Sequence, residues 1–218
     1  MLTNTLSLEL INHCPQPVWP AIAANSPWQN APNPLTDTSA LHLGDSRHFS
    51  LAVPWSGRIW GDCGRSSCWN QTGKATTLFE FDTSGGQVSY DISLVDALTL
   101  GMKIIPANPA CPPTECDVPA YVGSNANGVL CPASNLIWRN GANGNLSDVL
   151  GCNSDCTLHT GVARFCCEPG PEGRKMCSGA NPWFKTVCPN VYTYASDDET
   201  GMKACSTDAF KVIFTCPQ

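Results

Sequence analysis

Only 14% of the 218 residues are charged, so places where acids stand together carry chemical meaning. Glu80 sits between Phe79 and Phe81, and Asp91 between Tyr90 and Ile92. On strands, the aromatic and aliphatic neighbours face one way and the carboxylates the other. A four-residue hairpin loop over Ser84 to Gln87 pairs Thr83 with Val88 and sets Glu80 directly opposite Asp91 on one face. Like charges so placed repel. A chain that keeps them either holds a cation there, with Arg58 the nearest candidate, or uses the pair. Two close carboxylates push their pKa values apart, one keeping its proton and one ionised. Glycoside hydrolysis requires that division, with one acid protonating the leaving oxygen and a second carboxylate acting as base or nucleophile. Asp96 follows the second strand, and Asp197-Asp198 stand shortly before the final one. The competing reading is a row of solvated acids on a sheet face, and a one-residue slip in register would dissolve the pairing.

Other chemistries lack their residues. There is no G-x-S-x-G turn, no phosphate-binding glycine loop and no H-E-x-x-H. Cys152, Cys156 and His159 have a spacing that zinc accepts. The even count of fourteen cysteines favours disulfides instead, with no metal and no catalytic thiol. Neither a metal nor any other cofactor is expected.

Strands must position these acids. Leu6, Leu8 and Leu10 alternate with Ser7, Glu9 and Ile11, which is strand period. Val18-Trp19, His48 to Val53 (stopped by Pro54), Ile59-Trp60, Leu78 to Asp82, Val88 to Leu94, Met102 to Ile105 and Phe210 to Thr215 read as further strands. Residues 25–46 read as loop. Between about 117 and 190 the strand pattern fades and cysteines cluster. Two short helices are expected there, one over Asn153 to Thr160 capped by Ser154 or Asp155, the other over Asn181 to Val187 with Pro182 in its first turn. The chain is therefore mainly β, with a disulfide-held second lobe.

Fourteen cysteines at this density belong to an oxidising compartment, so a secreted protein is expected. The sequons at Asn70 and Asn145 agree. The first eleven residues lack the basic start and apolar run of a signal peptide, which reads as a mature form with Met1 added. No apolar run reaches transmembrane length. The net charge of -6, with no Lys/Arg run, disfavours nucleic acid and anionic membranes as partners and leaves an uncharged polysaccharide open.

Many short motifs in one order resemble the thaumatin-like family, the class-five pathogenesis-related proteins. They run from Asn12-His13-Cys14 and Val18-Trp19 through Leu43-Gly44-Asp45-Ser46, Gly57-Arg58-Ile59-Trp60 and Gly61-Asp62-Cys63-Gly64. They continue with Thr77-Leu78-Phe79-Glu80-Phe81, Asp91-Ile92-Ser93-Leu94-Val95-Asp96 and Cys166-Cys167, and end at Tyr192-Thr193-Tyr194 and Cys216-Pro217. The resemblance implies a flattened β-sandwich core over 1–60, 76–120 and 189–218, a disulfide-rich lobe with short helices over 121–188, and a small loop domain over 61–75. It implies seven disulfides: Cys14–Cys216, Cys63–Cys68, Cys111–Cys205, Cys116–Cys188, Cys131–Cys152, Cys156–Cys166 and Cys167–Cys177. Family members usually carry sixteen cysteines. Here Trp60 runs directly into Gly61, so the third domain is expected to be shortened.

The family's cleft lies between core and second lobe. The matching positions are Arg58, Glu80, Asp91, Asp96 and Asp197, with Tyr194 beside them. The resemblance implies binding of cell-wall β-1,3-glucan and weak endo-β-1,3-glucanase activity by a secreted monomer. Glu80 would be the general acid, Asp91 or Asp96 the base or nucleophile, and Arg58 the charge balance. A non-catalytic glucan-binding antifungal defence protein and an inhibitor of another enzyme are the alternatives.

Overall fold

A computed structural model of the chain describes residues 5–62, 76–117, 124–125, 128–129, 131–138, 149–167 and 182–216. Two five-stranded sheets make its core. The first contains β1 (Thr5–Asn12), β3 (Ser46–Ala52), β8 (Gly101–Pro106), β9 (Thr114–Cys116) and β15 (Ala209–Thr215). Its strand order is β3-β1-β15-β8-β9. The alternation read at Leu6, Leu8 and Leu10 holds, and all three are buried. β1 lies parallel to β15, with Leu8 opposite Phe210 and Leu10 opposite Val212. The beginning and end of the chain thus share one sheet, and Cys14–Cys216 ties them just past the ends of those two strands.

The second sheet contains β2 (Trp19–Ala24), β4 (Ser56–Asp62), β5 (Leu78–Asp82), β6 (Val88–Ser93) and β14 (Lys203–Cys205). Its order is β14-β6-β5-β4-β2. The two sheets meet through aromatic rings. The Phe210 ring lies 5.5 Å from that of Phe79 and 5.0 Å from that of Tyr90, both in edge-to-face geometry. Apolar burial of this kind is the main force holding a sandwich together.

The remaining strands belong to smaller sheets. β7 (Ala97–Leu98), β12 (Leu136–Trp138) and β13 (Val149–Asn153) form one, and β10 (Ser124–Asn125) pairs with β11 (Gly128–Val129). β12 and β13 lie where the sequence pattern had faded. Such short strands carry too few alternating positions to register as period two. The helices are α1 (Asp155–Leu158), α2 (Ala163–Cys166), α3 (Pro182–Val187) and α4 (Asp198–Gly201). Ser154 caps α1, its hydroxyl accepting from the Thr157 N–H at 3.0 Å. Pro182 opens α3 as expected.

Five of the seven disulfides implied by the resemblance are present as paired: Cys14–Cys216, Cys111–Cys205, Cys116–Cys188, Cys131–Cys152 and Cys156–Cys166. Cys167 is disulfide-bonded as well. Cys63, Cys68, Cys177, the loop over 63–75 and the sequons at Asn70 and Asn145 lie outside the described residues.

Candidate functional site

The site is built on the second sheet. Between β5 and β6 the chain turns through Thr83 to Gln87. Asp82 accepts from the Ser84 N–H at 2.7 Å, an Asx turn. Gly86 has φ +80°, a backbone conformation that glycine adopts without a Cβ penalty. This turn fixes the register, and Glu80 pairs with Asp91 as the sequence arithmetic requires. On the other side of β5, Glu80 pairs with Arg58 of β4. One row across the sheet therefore reads Arg58, Glu80, Asp91. Phe79, Phe81, Tyr90 and Ile92 point the opposite way, into the sandwich core.

The row lines a cavity of about 480 Å³. Asp82, Ser89 and Ser93 line it from the same sheet, and Val95 and Asp96 from the segment that leaves β6. The main chain of Asp96 is held by the second lobe. Its carbonyl oxygen accepts from the Ser154 N–H at 2.9 Å and from the Thr157 hydroxyl at 2.7 Å. The cap of α1 thus positions Asp96 at the junction of lobe and core.

The stretch from Val191 to Met202 contributes Tyr192, Ala195 and Met202 to the cavity lining. It is stitched to the end of β6: the Leu94 N–H donates to the Tyr192 carbonyl at 2.7 Å, and the Tyr192 N–H donates to the Ile92 carbonyl at 2.9 Å. Gly201 is required behind Tyr192, because a Cβ there would lie 2.4 Å from the ring. Tyr192 donates its hydroxyl hydrogen bond to Asp198. Tyr192 was not singled out in the sequence. The only signal for it was its place two residues before Tyr194 in a family motif.

Burial sets the electrostatics. Asp91 is 6% exposed, and its Oδ1 finds no hydrogen-bond partner among the described residues. Burial first, and the Glu80 charge next, push its carboxyl well above the usual aspartate range, against a weaker pull from Lys203. Glu80 is half-buried. Burial raises its pKa, partly offset by a hydrogen bond to Ser93 and by Arg58, while Asp96 adds to the rise. Both groups of the pair therefore hold their protons to higher pH than free carboxyls.

Asp197 is placed differently. Neither it nor Tyr194 is among the described residues that line the cavity. Asp197 is 2% exposed. Its Oδ2 lies 2.5 Å from Lys185 Nζ and accepts from the Thr193 N–H at 3.0 Å and the Thr193 hydroxyl at 3.1 Å. Its Oδ1 accepts from the Thr200 hydroxyl at 2.5 Å. Burial pushes this carboxyl up, but the bonds from Lys185, Thr200 and Thr193 outweigh it and hold the pKa below the usual value. The cavity thus brings together Arg58, Glu80, Asp91 and Asp96, and Asp197 anchors the neighbouring wall.

The thiols of the cysteine–histidine spacing are consumed elsewhere: Cys152 pairs with Cys131 and Cys156 with Cys166. His159 stacks on Phe165 at 4.5 Å.

The arrangement combines a row of acids with an apolar wall, and comparison with known proteins bears on it. "Thaumatin-like protein 2" of Prunus persica is 32% identical over 242 aligned positions, covering 98% of this chain and 91% of that protein. A "Glucan endo-1,3-beta-glucosidase" of Prunus avium is 31% identical, with 98% of this chain and 91% of that protein covered. The solved structure of a thaumatin-like xylanase inhibitor aligns with 96% of this chain and 99% of that one, at a TM-score of 0.43 and 16% identity. The model of the Thaumatin family matches residues 12–217, nearly the whole length and every element of the cleft, and the chain belongs to that family.

Proposed function

We propose that the cleft binds β-1,3-glucan of cell walls and cleaves it internally and slowly, the protein acting as a secreted monomer. The observation that carries this reading is the Glu80 environment. A half-buried carboxyl raised by desolvation lies in one cavity with further acids and a guanidinium. Such a group keeps its proton to higher pH than a free carboxyl, which is what a general acid needs. Asp96 is the better candidate for base or nucleophile. Asp91 is almost fully buried and its carboxyl is pushed well above the usual aspartate range by that burial, whereas Asp96 is only partly buried. Arg58, paired with Glu80 across the ladder, limits the charge that gathers in the row. The apolar side chains of Tyr192, Met202 and Val95 suit the C–H face of a sugar ring. The name of the Prunus avium relative supports the same substrate.

The test is release of reducing ends from laminarin. Glu80→Gln and Asp96→Asn should each lower the rate about 10²- to 10⁴-fold. The alkaline limb of the pH profile should fall above the ordinary glutamate range, because Glu80 must stay protonated. No release by the wild type would end the hydrolase reading. One observation favours gripping without cutting as the second reading: burial raises both Glu80 and Asp91, so neither member of the cross-strand pair is the readily ionised carboxylate that hydrolysis also needs. Retention on insoluble glucan without hydrolysis, lost in Glu80→Gln, would support it.

A further inference from the structure

The stretch from Val191 to Met202 gives the cavity Tyr192, Ala195 and Met202, yet it has little regular structure of its own. It holds one four-residue helix, α4, and meets β6 at an isolated bridge between Ser93 and Tyr192. Ser196 stands at φ +72°, in the left-handed region that residues other than glycine seldom adopt. A segment of this kind keeps its shape through side chains that reach its backbone from elsewhere.

Lys185 reaches it from α3. Its Nζ lies 2.8 Å from the Val191 carbonyl oxygen and 3.4 Å from that of Pro189, ahead of Tyr192 in the chain. It also lies 2.5 Å from Asp197 Oδ2 and 2.5 Å from the Thr200 hydroxyl oxygen, beyond Tyr192. Thr200 in turn donates its hydroxyl to Asp197 Oδ1. All four neighbours accept from Lys185, and an ammonium, with three donors and a full charge, suits such a set. One charge thus joins the two ends of the stretch. Lys203 of β14 adds a second ammonium, donating to the Thr200 carbonyl at 2.8 Å and the Gly201 carbonyl at 3.4 Å. α3 is itself fixed, because Phe184 is buried and Cys188, just after the helix, is bonded to Cys116 of β9. The hold passes to Tyr192 through Gly201, where a Cβ would lie 2.4 Å from the tyrosine ring and 2.8 Å from its Cα.

We propose that Lys185 is a positioning residue of the cleft: its ammonium fixes the wall that carries Tyr192 and so sets how tightly the cleft holds a sugar ring. Lys185 is not among the residues that line the cavity, so it acts through Tyr192 and does not touch the saccharide. This rests on the reading that the cleft binds β-1,3-glucan, and adds to it a charge outside the cavity on which affinity depends.

The experiment compares the wild type with Lys185→Met, which keeps the stem and removes the charge, and with the milder Thr200→Val, with disulfides intact. Lys185→Arg, Tyr192→Ala and the double variant Lys185→Met/Tyr192→Ala complete the set. Calorimetric titration with a β-1,3-glucose hexamer reads affinity, and amide hydrogen exchange reads the wall. In Lys185→Met the hexamer should bind about tenfold more weakly, the loss expected for one ring contact. The Leu94 and Tyr192 amides, which tie Tyr192 to β6, should exchange about tenfold faster, with the amides of β1 and β15 unchanged. Thr200→Val should move both readouts the same way by a smaller factor, and Lys185→Arg should recover part of each. Tyr192→Ala should weaken binding about tenfold, and adding Lys185→Met to it should cost little more, since both act through one ring. Three results would each overturn the inference: losses that multiply in the double variant, unchanged exchange at Leu94 and Tyr192 in both Lys185→Met and Thr200→Val, and faster exchange spread evenly over both sheets. A wild type that does not bind the hexamer, with Leu94 and Tyr192 still loosened in Lys185→Met, would end the saccharide reading and leave Lys185 as the residue that fixes the wall.

Discussion

Asp91 and Asp197 are the same residue type at nearly the same depth, 6% and 2% exposed, yet their chemistry runs in opposite directions. Asp91 stands on a strand, where the ladder consumes the backbone N–H groups and the lateral neighbour is another acid. Asp197 stands in a loop that folds back on itself, offering it a backbone N–H, two hydroxyls and an ammonium. Burial pushes both carboxyls up, and only at Asp197 do bonds to the charged form reverse the sign. The row on the sheet is short of donors among the described residues. The loop cluster is already satisfied and acts as a fixed wall. Depth therefore does not fix the direction of a carboxyl's pKa shift; the supply of donors does.

The most severe test of this contrast is Asp197→Ala. Lys185, whose side chain is 26% exposed, would lose its ion-pair partner while still donating to the Val191 carbonyl and the Thr200 hydroxyl. Breaking a buried pair costs about 3–5 kcal/mol, and partial access to water places this case near 3. The denaturant midpoint should fall accordingly with the disulfides intact, and an unchanged midpoint would mean that the cluster anchors nothing. Gly201→Ala comes next. It drives a Cβ into Tyr192 at a cost of about 1–3 kcal/mol, and tyrosine fluorescence together with glucan retention should change with it. The smallest effect has the opposite sign. Asp91→Asn should be neutral, or stabilising by up to about 1 kcal/mol, at pH 7.

The pH dependence sharpens the same comparison. Asp91 has a raised folded pKa, so its stabilising contribution is complete below the unfolded value of about 3.9 and is lost as pH rises through the folded one. Asp197 has a lowered folded pKa, so its contribution is present above about 3.9 and is lost as pH falls through the folded value. Stability measured from pH 3 to pH 7 should therefore show any gain of Asp91→Asn opening with pH. The loss in Asp197→Ala should widen over the same direction. Parallel curves for the two variants would remove the distinction.

Much of the sheet row was legible beforehand. Alternation around Glu80 and Asp91, and a short Ser-Gly-Gly turn between them, leave one register that buries Phe79, Phe81, Tyr90 and Ile92 together, and the carboxylates follow. The paired count of cysteines pointed to a disulfide scaffold, and the family motifs implied its wiring. The short strands β12 and β13 and the role of Tyr192 were not legible, because neither has a periodic signal.

The amino-acid sequence by itself determined which residues share a strand face, since that depends only on neighbours within a hairpin and the two-residue period of a strand. Only the tertiary structure decided which acids have donors. Lys185, Thr193 and Thr200 reach Asp197 from α3, from the loop and from α4. No group reaches Asp91 Oδ1 among the described residues. The Thr193 and Thr200 bonds are local turns around Asp197, but the Lys185 pair needs α3 laid against that loop, and the donor-poor setting of Asp91 needs the whole sheet assembled around β6, so both exist only once the chain has closed.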